Sequence, residues 1–248
     1  FRVNPDTTKK SWDEFVHVIP KMWTQERFSY EGEFFSMPSR AVLPKPYQKP
    51  HPPMWVAVSS PGTHLEAGER GLGSLGVSFS SFADQEKKVR EYRDRIRNCT
   101  PAGEFVNEQV NGVNVLYCHE DDETGARVGL RMARTFGYLA GQLGMAKEMF
   151  PSHSYPTAGL LPTLRRQAAA PGEENKPPEG LALGNPEQVI RALKKWEECG
   201  LDRVSFVLNT AETIPQAEVL KSLRLFARAV MPAFAEPAAR ATGTEGGR

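Results

Sequence analysis

Short apolar runs alternate with longer amphipathic segments through most of this chain. Four runs have the character of buried strands, at residues 54–58, 75–79, 113–118 and 204–208. Segments with helical spacing of apolar residues separate or follow them, at 61–70, 84–97, 123–150, 186–199 and 215–231. Strands that alternate with helices form a parallel sheet covered by helices. The sequence therefore predicts an α/β fold with four β-α units.

The first fifty residues do not follow this alternation. Ser11 and Glu14 have the spacing of a helix capping box, and the apolar residues after Ser11 predict an amphipathic helix. Residues 28–35 predict two short strands around the turn Glu31-Gly32. Six prolines between residues 38 and 53 then keep the chain extended. We expect a hairpin and an ordered crossing segment here.

Two further stretches lack a regular pattern. Residues 151–183 are rich in proline, glycine and polar residues, and a connection of this length is typical of a lid or binding loop. Residues 236–248 are small and polar, which predicts a disordered tail. Four parallel strands fit either a small doubly wound domain or half of a (β/α)8 barrel, and periodicity alone leaves both open.

Composition excludes several classes of function. The formal net charge is +1, which does not favour nucleic acid or an anionic membrane as a partner. No apolar run approaches the roughly 18 residues that span a bilayer. The three cysteines (Cys99, Cys118 and Cys199) are far apart and form no C-x-x-C motif, which predicts free thiols, no metal site and a cytoplasmic location.

In both architectures ligands bind at the carboxyl ends of the strands. After the first predicted strand, Ser59, Ser60, Gly62 and Thr63 lead directly into a helix. Hydroxyl groups and the free N–H groups of a helix start would hold a phosphate there. The alternative is an ordinary serine cap followed by proline.

The other strand ends carry weaker candidates for a substrate pocket, namely Phe79, His119 and Asn209. His119 precedes three carboxylates, which suggests acid-base chemistry, a metal site or the acidic first turn of a helix. Asn209 would either bind a ligand or cap its own loop. No established catalytic, nucleotide-binding or metal-binding motif occurs.

Three groups of segments, taken together and in order, are more specific than any single residue. They are 28–35 with 43–57; 60–63 with 67 and 70–73; and 184–189 with 200–202, 225–226 and 230–232. In this order the chain resembles the luciferase-like monooxygenase superfamily, from near residue 5 to about residue 235.

The resemblance implies one partial (β/α)8 barrel domain over residues 1–235, followed by the tail. The predicted strands would be the fifth to the eighth, the hairpin would be an insertion before the fifth, and the four N-terminal strands would be missing. It also implies that Ser59, Ser60 and Thr63 contact the phosphate of reduced FMN or of the deazaflavin F420. Gly62 stands where many relatives carry an acidic residue.

The function implied is a flavin-dependent monooxygenase that uses O2 on a small organic substrate. Its expected partners are a flavin reductase and a second copy of the full-length chain. With F420 the reaction would instead be hydride transfer, catalysed by a dehydrogenase or reductase. Two other interpretations stay open: a catalytically incomplete barrel fragment, and a small doubly wound binding domain.

Overall fold

The computed structural model describes residues 3–58, 61–77, 81–149, 179–209 and 212–235. Its helices are α1 (Thr8–Thr24), α2 (Thr63–Glu69), α3 (Phe82–Ile96), α4 (Asp122–Met149), α5 (Pro186–Glu198) and α6 (Gln216–Ala229), with 3-10 turns at Pro5–Thr7 and Met231–Phe234. Its strands are β1 (Phe28–Glu31), β2 (Ser36–Arg40), β3 (Trp55–Ala57), β4 (Gly73–Val77), β5 (Val110–Cys118), β6 (Ala182–Gly184) and β7 (Arg203–Val207). None of these helices combines the length and apolarity needed to cross a lipid bilayer.

Strand β5 lies at the centre of a parallel sheet. Its first residues pair with β4 on one edge, from Val110 opposite Ser74 onward. On the other edge residues 111–115 pair with β7. Its last three residues pair with β6, and β3 extends the sheet beyond β4. The parallel α/β architecture predicted from the alternation of strands and helices is therefore confirmed.

The sheet has five strands, and β6 is the one that the pattern missed. Residues 182 and 183 fall within the stretch predicted to be irregular, so that boundary was wrong. β6 is only three residues long, and it is held by pairing with β5 and not by a long apolar run of its own. Among the described residues β3 pairs only with β4 and β7 only with β5, so these strands form an open sheet and not a closed ring.

The predicted capping box at Ser11 was wrong. Helix α1 begins three residues earlier, directly after a 3-10 turn that the side chain of Asn4 caps. Glu14 instead faces the β1–β2 hairpin, where its Oε2 accepts hydrogen bonds from the N–H groups of Glu33 (3.0 Å) and Phe34 (3.2 Å). A carboxylate on α1 thus holds the turn of the hairpin.

Helices α2, α3 and α5 pack against one face of the sheet around Tyr92. The side chain of Tyr92 is buried, and its hydroxyl donates to the carbonyl oxygens of Leu72 (2.9 Å) and Asn107 (3.0 Å). Leu72 immediately precedes β4, and Asn107 precedes β5. A single hydroxyl therefore joins α3 to the starts of two neighbouring strands.

Replacing Tyr92 with phenylalanine should destabilise the fold. The substitution leaves two buried carbonyl groups without their shared donor, so we expect the free energy of unfolding to fall by about 1–3 kcal/mol. Urea denaturation followed by circular dichroism measures this change. The matched control is Tyr47→Phe, because Tyr47 is 96% exposed. Equal stability losses in the two variants would contradict the role given to the Tyr92 hydroxyl.

Candidate functional site

Helix α2 follows β3 after a connection of five residues. Gly62 precedes the helix with a left-handed backbone (φ 82°), and no side chain of the described residues caps the helix there. A Cβ added to Gly62 would meet no described atom within 4 Å. The N–H groups of Thr63 and His64 lie ahead of the first intrahelical bonds. This geometry leaves backbone donors accessible to an anion, whereas Ser59 and Ser60 lie outside the described residues.

The first turn of α2 is tied to α3 by a histidine–carboxylate pair. The Nε2 atom of His64 lies 2.9 Å from Oε2 of Glu91, and the imidazole is largely buried. The hydrogen bond from His64 is the main cause that lowers the pKa of Glu91, with a smaller contribution from the charge of Lys87. The pair fixes the beginning of α2 relative to α3, and with it the direction of the open N–H groups.

His119 follows β5 and is half-buried. Its backbone N–H donates to the carbonyl of Gly184 at the end of β6 (3.0 Å). Its ring Nδ1 lies 3.0 Å from the N–H and 3.1 Å from the carbonyl oxygen of Asp121, so Nδ1 is engaged within its own loop in either tautomer. The Nε2 atom is therefore the nitrogen that remains for a ligand.

The carboxylates after His119 belong to the beginning of α4. Asp121 accepts a hydrogen bond from the N–H of Thr124 (2.8 Å), and the hydrogen bonds to Thr124 are the main cause that lowers the pKa of Asp121. Asp122 and Glu123 lie in the first helical turn. In the described parts of the chain no cluster of His, Cys, Asp or Glu has the arrangement of a metal site. These acids therefore act as a helix start.

Asn209 follows β7 with a positive φ of 39°. Its Nδ2 donates to the carbonyl of Ile214 (2.8 Å), and its Oδ1 accepts from the N–H of Ile214 (3.2 Å) and from the hydroxyl of Thr213 (3.3 Å). The side chain is engaged in closing its own loop. A role for Asn209 in a substrate pocket stays a prediction, as does the role of Phe79, which lies outside the described residues.

The predicted site residues lie on different strand ends. The start of α2 follows β3, His119 follows β5, and β4 separates these two strands. Neighbouring strands lie about 4.8 Å apart, so two spacings place the strand ends roughly 10 Å from each other. His119 and the loop of Asn209 follow adjacent strands, because β7 pairs with β5. The candidates thus lie at the same carboxyl end of the sheet, but they do not form one cluster of contacting residues.

Asn114, in the middle of β5, is a polar residue that the pattern did not single out. It is fully buried, and its Nδ2 donates to the carbonyl of Gly180 (2.7 Å). Its Oδ1 accepts from the N–H groups of Val115 (2.8 Å) and Ala182 (3.2 Å). The indole Nε1 of Trp196 donates to the same Gly180 carbonyl (2.7 Å). Asn114 therefore holds the segment that leads into β6.

Gly180 fits this arrangement because it has no side chain. Its φ is 96°, and an added Cβ would lie 2.8 Å from the ring of Phe82 and 3.0 Å from that of Trp196. Only glycine adopts this backbone readily at such a close approach. An amide standing alone within the apolar run 113–118 was the available signal for Asn114, although its partners could not be read from the sequence.

Cys118 ends β5 and is buried beside α6. Its backbone N–H donates to the hydroxyl of Ser222 (2.8 Å). Burial raises the pKa of the Cys118 thiol to about 11. At neutral pH the group is therefore a thiol and not a thiolate, which excludes it as a nucleophile in this state.

Comparison with known proteins places these features in a family context. The sequence model of the family described as luciferase-like monooxygenase matches residues 1–203. The oxygenase component of a flavin-dependent trigonelline monooxygenase from Acinetobacter baylyi is 24% identical over 228 residues, covering 90% of this chain and 59% of the relative. An F420-dependent glucose-6-phosphate dehydrogenase from Segniliparus rotundus is 24% identical over 238 residues, covering 90% of this chain and 63% of the relative.

Solved structures support the same fold. A monooxygenase from Streptomyces bottropensis superposes with a TM-score of 0.63 at 20% identity, covering 94% of this chain and 64% of that one. An F420-dependent secondary alcohol dehydrogenase superposes with a TM-score of 0.63 at 14% identity, covering 95% of this chain and 64% of that one. At these identities the likeness concerns the fold alone. The chain spans about three fifths of the length of the relatives that it matches.

Replacing Asn114 with alanine should release the segment at Gly180. The buried N–H of Ala182 loses its side-chain acceptor and the Gly180 carbonyl loses one donor, so we expect the free energy of unfolding to fall by about 2–4 kcal/mol. Urea denaturation gives the total, and hydrogen exchange at Ala182 reports the local opening. Asn98→Ala, at an exposed position, is the control. A loss no larger than that of the control would contradict the anchoring role.

Cys118 should resist alkylation in the folded protein. Iodoacetamide reacts with thiolates, so at pH 8 we expect the half-buried Cys99 to be modified while Cys118 stays unmodified. Because the pKa of Cys118 is raised to about 11, protection and its contribution to stability should be complete below pH 9 and fade as pH approaches 11. Peptide mass spectrometry measures both sites. Modification of Cys118 at pH 8, in protein that remains folded, would overturn this expectation.

Proposed function

The chain belongs to the luciferase-like monooxygenase family. We propose that it forms part of a flavin-dependent oxidoreductase that acts on a small organic substrate with O2. The observation that carries the proposal is the family match over residues 1–203. Similarity to the trigonelline monooxygenase along 90% of this chain supports the same reaction class. Reduced FMN is the proposed cofactor, and F420 is the alternative.

The proposed architecture is a partial (β/α)8 barrel domain over residues 1–235. Strands β3, β4, β5 and β7 would be its fifth to eighth strands, and the β1–β2 hairpin would be an insertion before the fifth. The parallel order of these strands along the sheet supports this assignment. Their carboxyl ends would then form part of the mouth at which such barrels bind ligands.

The start of α2 is the proposed phosphate site of the cofactor. Among the described residues no side chain caps the first turn and none fills the space in front of Gly62, which supports a phosphate group there. The N–H groups of Thr63 and His64 and the hydroxyl of Thr63 would donate to its oxygens. Ser59 and Ser60 directly precede Pro61-Gly62 in the sequence and would supply further hydroxyl donors.

The chemistry would come largely from the cofactor. Bound reduced flavin supplies the electrons with which O2 is activated, and a protein site binds the reactants, orients them and excludes water. His119 would contact the substrate through Nε2, at the same carboxyl end of the sheet as the start of α2. Phe79 and Asn209 are the other proposed substrate contacts. A separate flavin reductase would supply reduced FMN in the cytoplasm, and the full-length enzyme would act as a homodimer.

Two other functions have support of their own. F420-dependent hydride transfer is favoured by similarity to the glucose-6-phosphate dehydrogenase along 90% of this chain. A catalytically incomplete barrel chain is favoured by the open sheet, since β3 and β7 each pair on one edge only among the described residues. Unpaired strand edges are surfaces at which further strands add.

Anaerobic titration of the protein with reduced FMN, riboflavin and F420 distinguishes these functions. We expect FMN to bind more tightly than riboflavin, because only FMN carries a phosphate for the start of α2. Thr63→Val should weaken FMN binding by about tenfold, the effect of one hydrogen bond to a charged group, and leave riboflavin binding unchanged. Flavin fluorescence measures all of these affinities.

The control is Thr100→Val, because Thr100 is exposed near the opposite end of α2, where its N–H donates to the carbonyl of Glu69. Preference for F420 over FMN would favour the hydride-transfer function. Failure of the folded protein to bind any of the three compounds would exclude cofactor binding by this chain and favour the incomplete barrel. Equal affinities for FMN and riboflavin would contradict the assignment of the phosphate site to the start of α2.

A further inference from the structure

A cleft opens at the carboxyl end of β5, beside helix α6, with a volume of about 300 Å³. Its floor is formed by Tyr117, Cys118 and Ser222, all of them buried. His119 lines the same cleft. Ligand pockets begin at about this volume, so the cleft is large enough for a small molecule or for one end of a larger one.

The rim of the cleft carries an excess of positive charge. Lys221, Arg224 and Arg228 line it, together with the carboxylates Glu120 and Glu218. The three cations occur along one helix at spacings of three and four residues, which places them on one face of α6. Three cations and two carboxylates leave one net positive charge when His119 is neutral.

Both carboxylates already have cationic partners. Glu218 accepts a hydrogen bond from Nζ of Lys221 (2.8 Å), which is the main cause that raises the pKa of Lys221 and keeps it protonated. Glu120 lies 3.4 Å from the guanidinium of Arg228. Arg224 has no ion-pair partner within the described ranges of the chain. The unneutralised charge therefore belongs to Arg224.

Two further donors face the same space. Ser222 accepts the N–H of Cys118, so its own hydroxyl proton is left to donate. Nδ1 of His119 is engaged with Asp121, which leaves Nε2. A guanidinium, an imidazole nitrogen and a hydroxyl at one cleft are the groups that bind oxyanions in proteins.

We propose that this cleft binds a small oxyanion, the phosphate or carboxylate group of a small molecule, with Arg224 as its principal partner. A cation would find both carboxylates already paired, and Leu225 is the one aliphatic side chain among the described residues that line the cleft. The site lies two strands away from the start of α2 and uses none of its residues. The cleft shares His119 with the proposed substrate pocket, but binding of an anion there does not require bound flavin.

The test is a titration of the protein with inorganic phosphate and, separately, with acetate at constant ionic strength. Histidine ring resonances in ¹⁵N-labelled protein should report saturable binding through a shift of His119. Arg224→Gln should weaken binding at least tenfold, because it removes a charge-assisted hydrogen bond. His119→Gln, a second variant, should weaken it as well, with isothermal titration calorimetry as the readout.

The matched control is Arg90→Gln, which also removes one positive charge. Arg90 is exposed on α3, where it pairs with Glu86. Tighter binding of phosphate than acetate would identify a phosphate group as the ligand, and the reverse order would identify a carboxylate. The proposal is overturned if neither anion binds saturably to the folded protein, or if Arg90→Gln weakens binding as much as Arg224→Gln does.

Discussion

The pairing of β5 on both of its edges is the constraint on which the rest of the structure depends. Its first residues join β4 and β7, and its last three hold β6. The same strand carries Asn114, which fixes the segment before β6, and Cys118, which meets α6. It ends at His119. Nine residues of one strand thus position both the neighbouring strands and the polar groups at their carboxyl ends.

The sequence predicts the parallel sheet well because four of its strands overlap apolar runs of five or six residues. β6 was not predicted because three residues are too few to show the alternation of apolar and polar residues that marks a strand. It is held by a hydrogen bond from Ala182 to Asn114 and by its pairing with β5. The capping box fails for a related reason. Ser11 and Glu14 have the right spacing, but Glu14 binds the hairpin turn, a partner about twenty residues away.

In the candidate site too, some residues could be identified from the sequence and others could not. The start of α2 could be found from sequence, because its donors are backbone groups and Gly62 and Thr63 are local signals. Asn114 and Arg224 could not be assigned, since their significance depends on distant residues. The partner of Asn114 lies 66 positions away, at Gly180. Patterns predict local geometry, whereas contacts between a side chain and a distant backbone require the folded chain.

The two proposed anion sites are far enough apart to be occupied together. The ends of β3 and β5 are roughly 10 Å from each other, being two strand spacings apart. Two unit negative charges at that distance repel by about 0.4 kcal/mol in water and about 1.7 kcal/mol at an effective dielectric constant of 20. A charge-assisted hydrogen bond contributes about 1.5–3 kcal/mol, so the two or more donors proposed at each site would together outweigh this repulsion. A cofactor phosphate at α2 and an oxyanion beside Arg224 are therefore electrostatically compatible, and salt should weaken their mutual effect further.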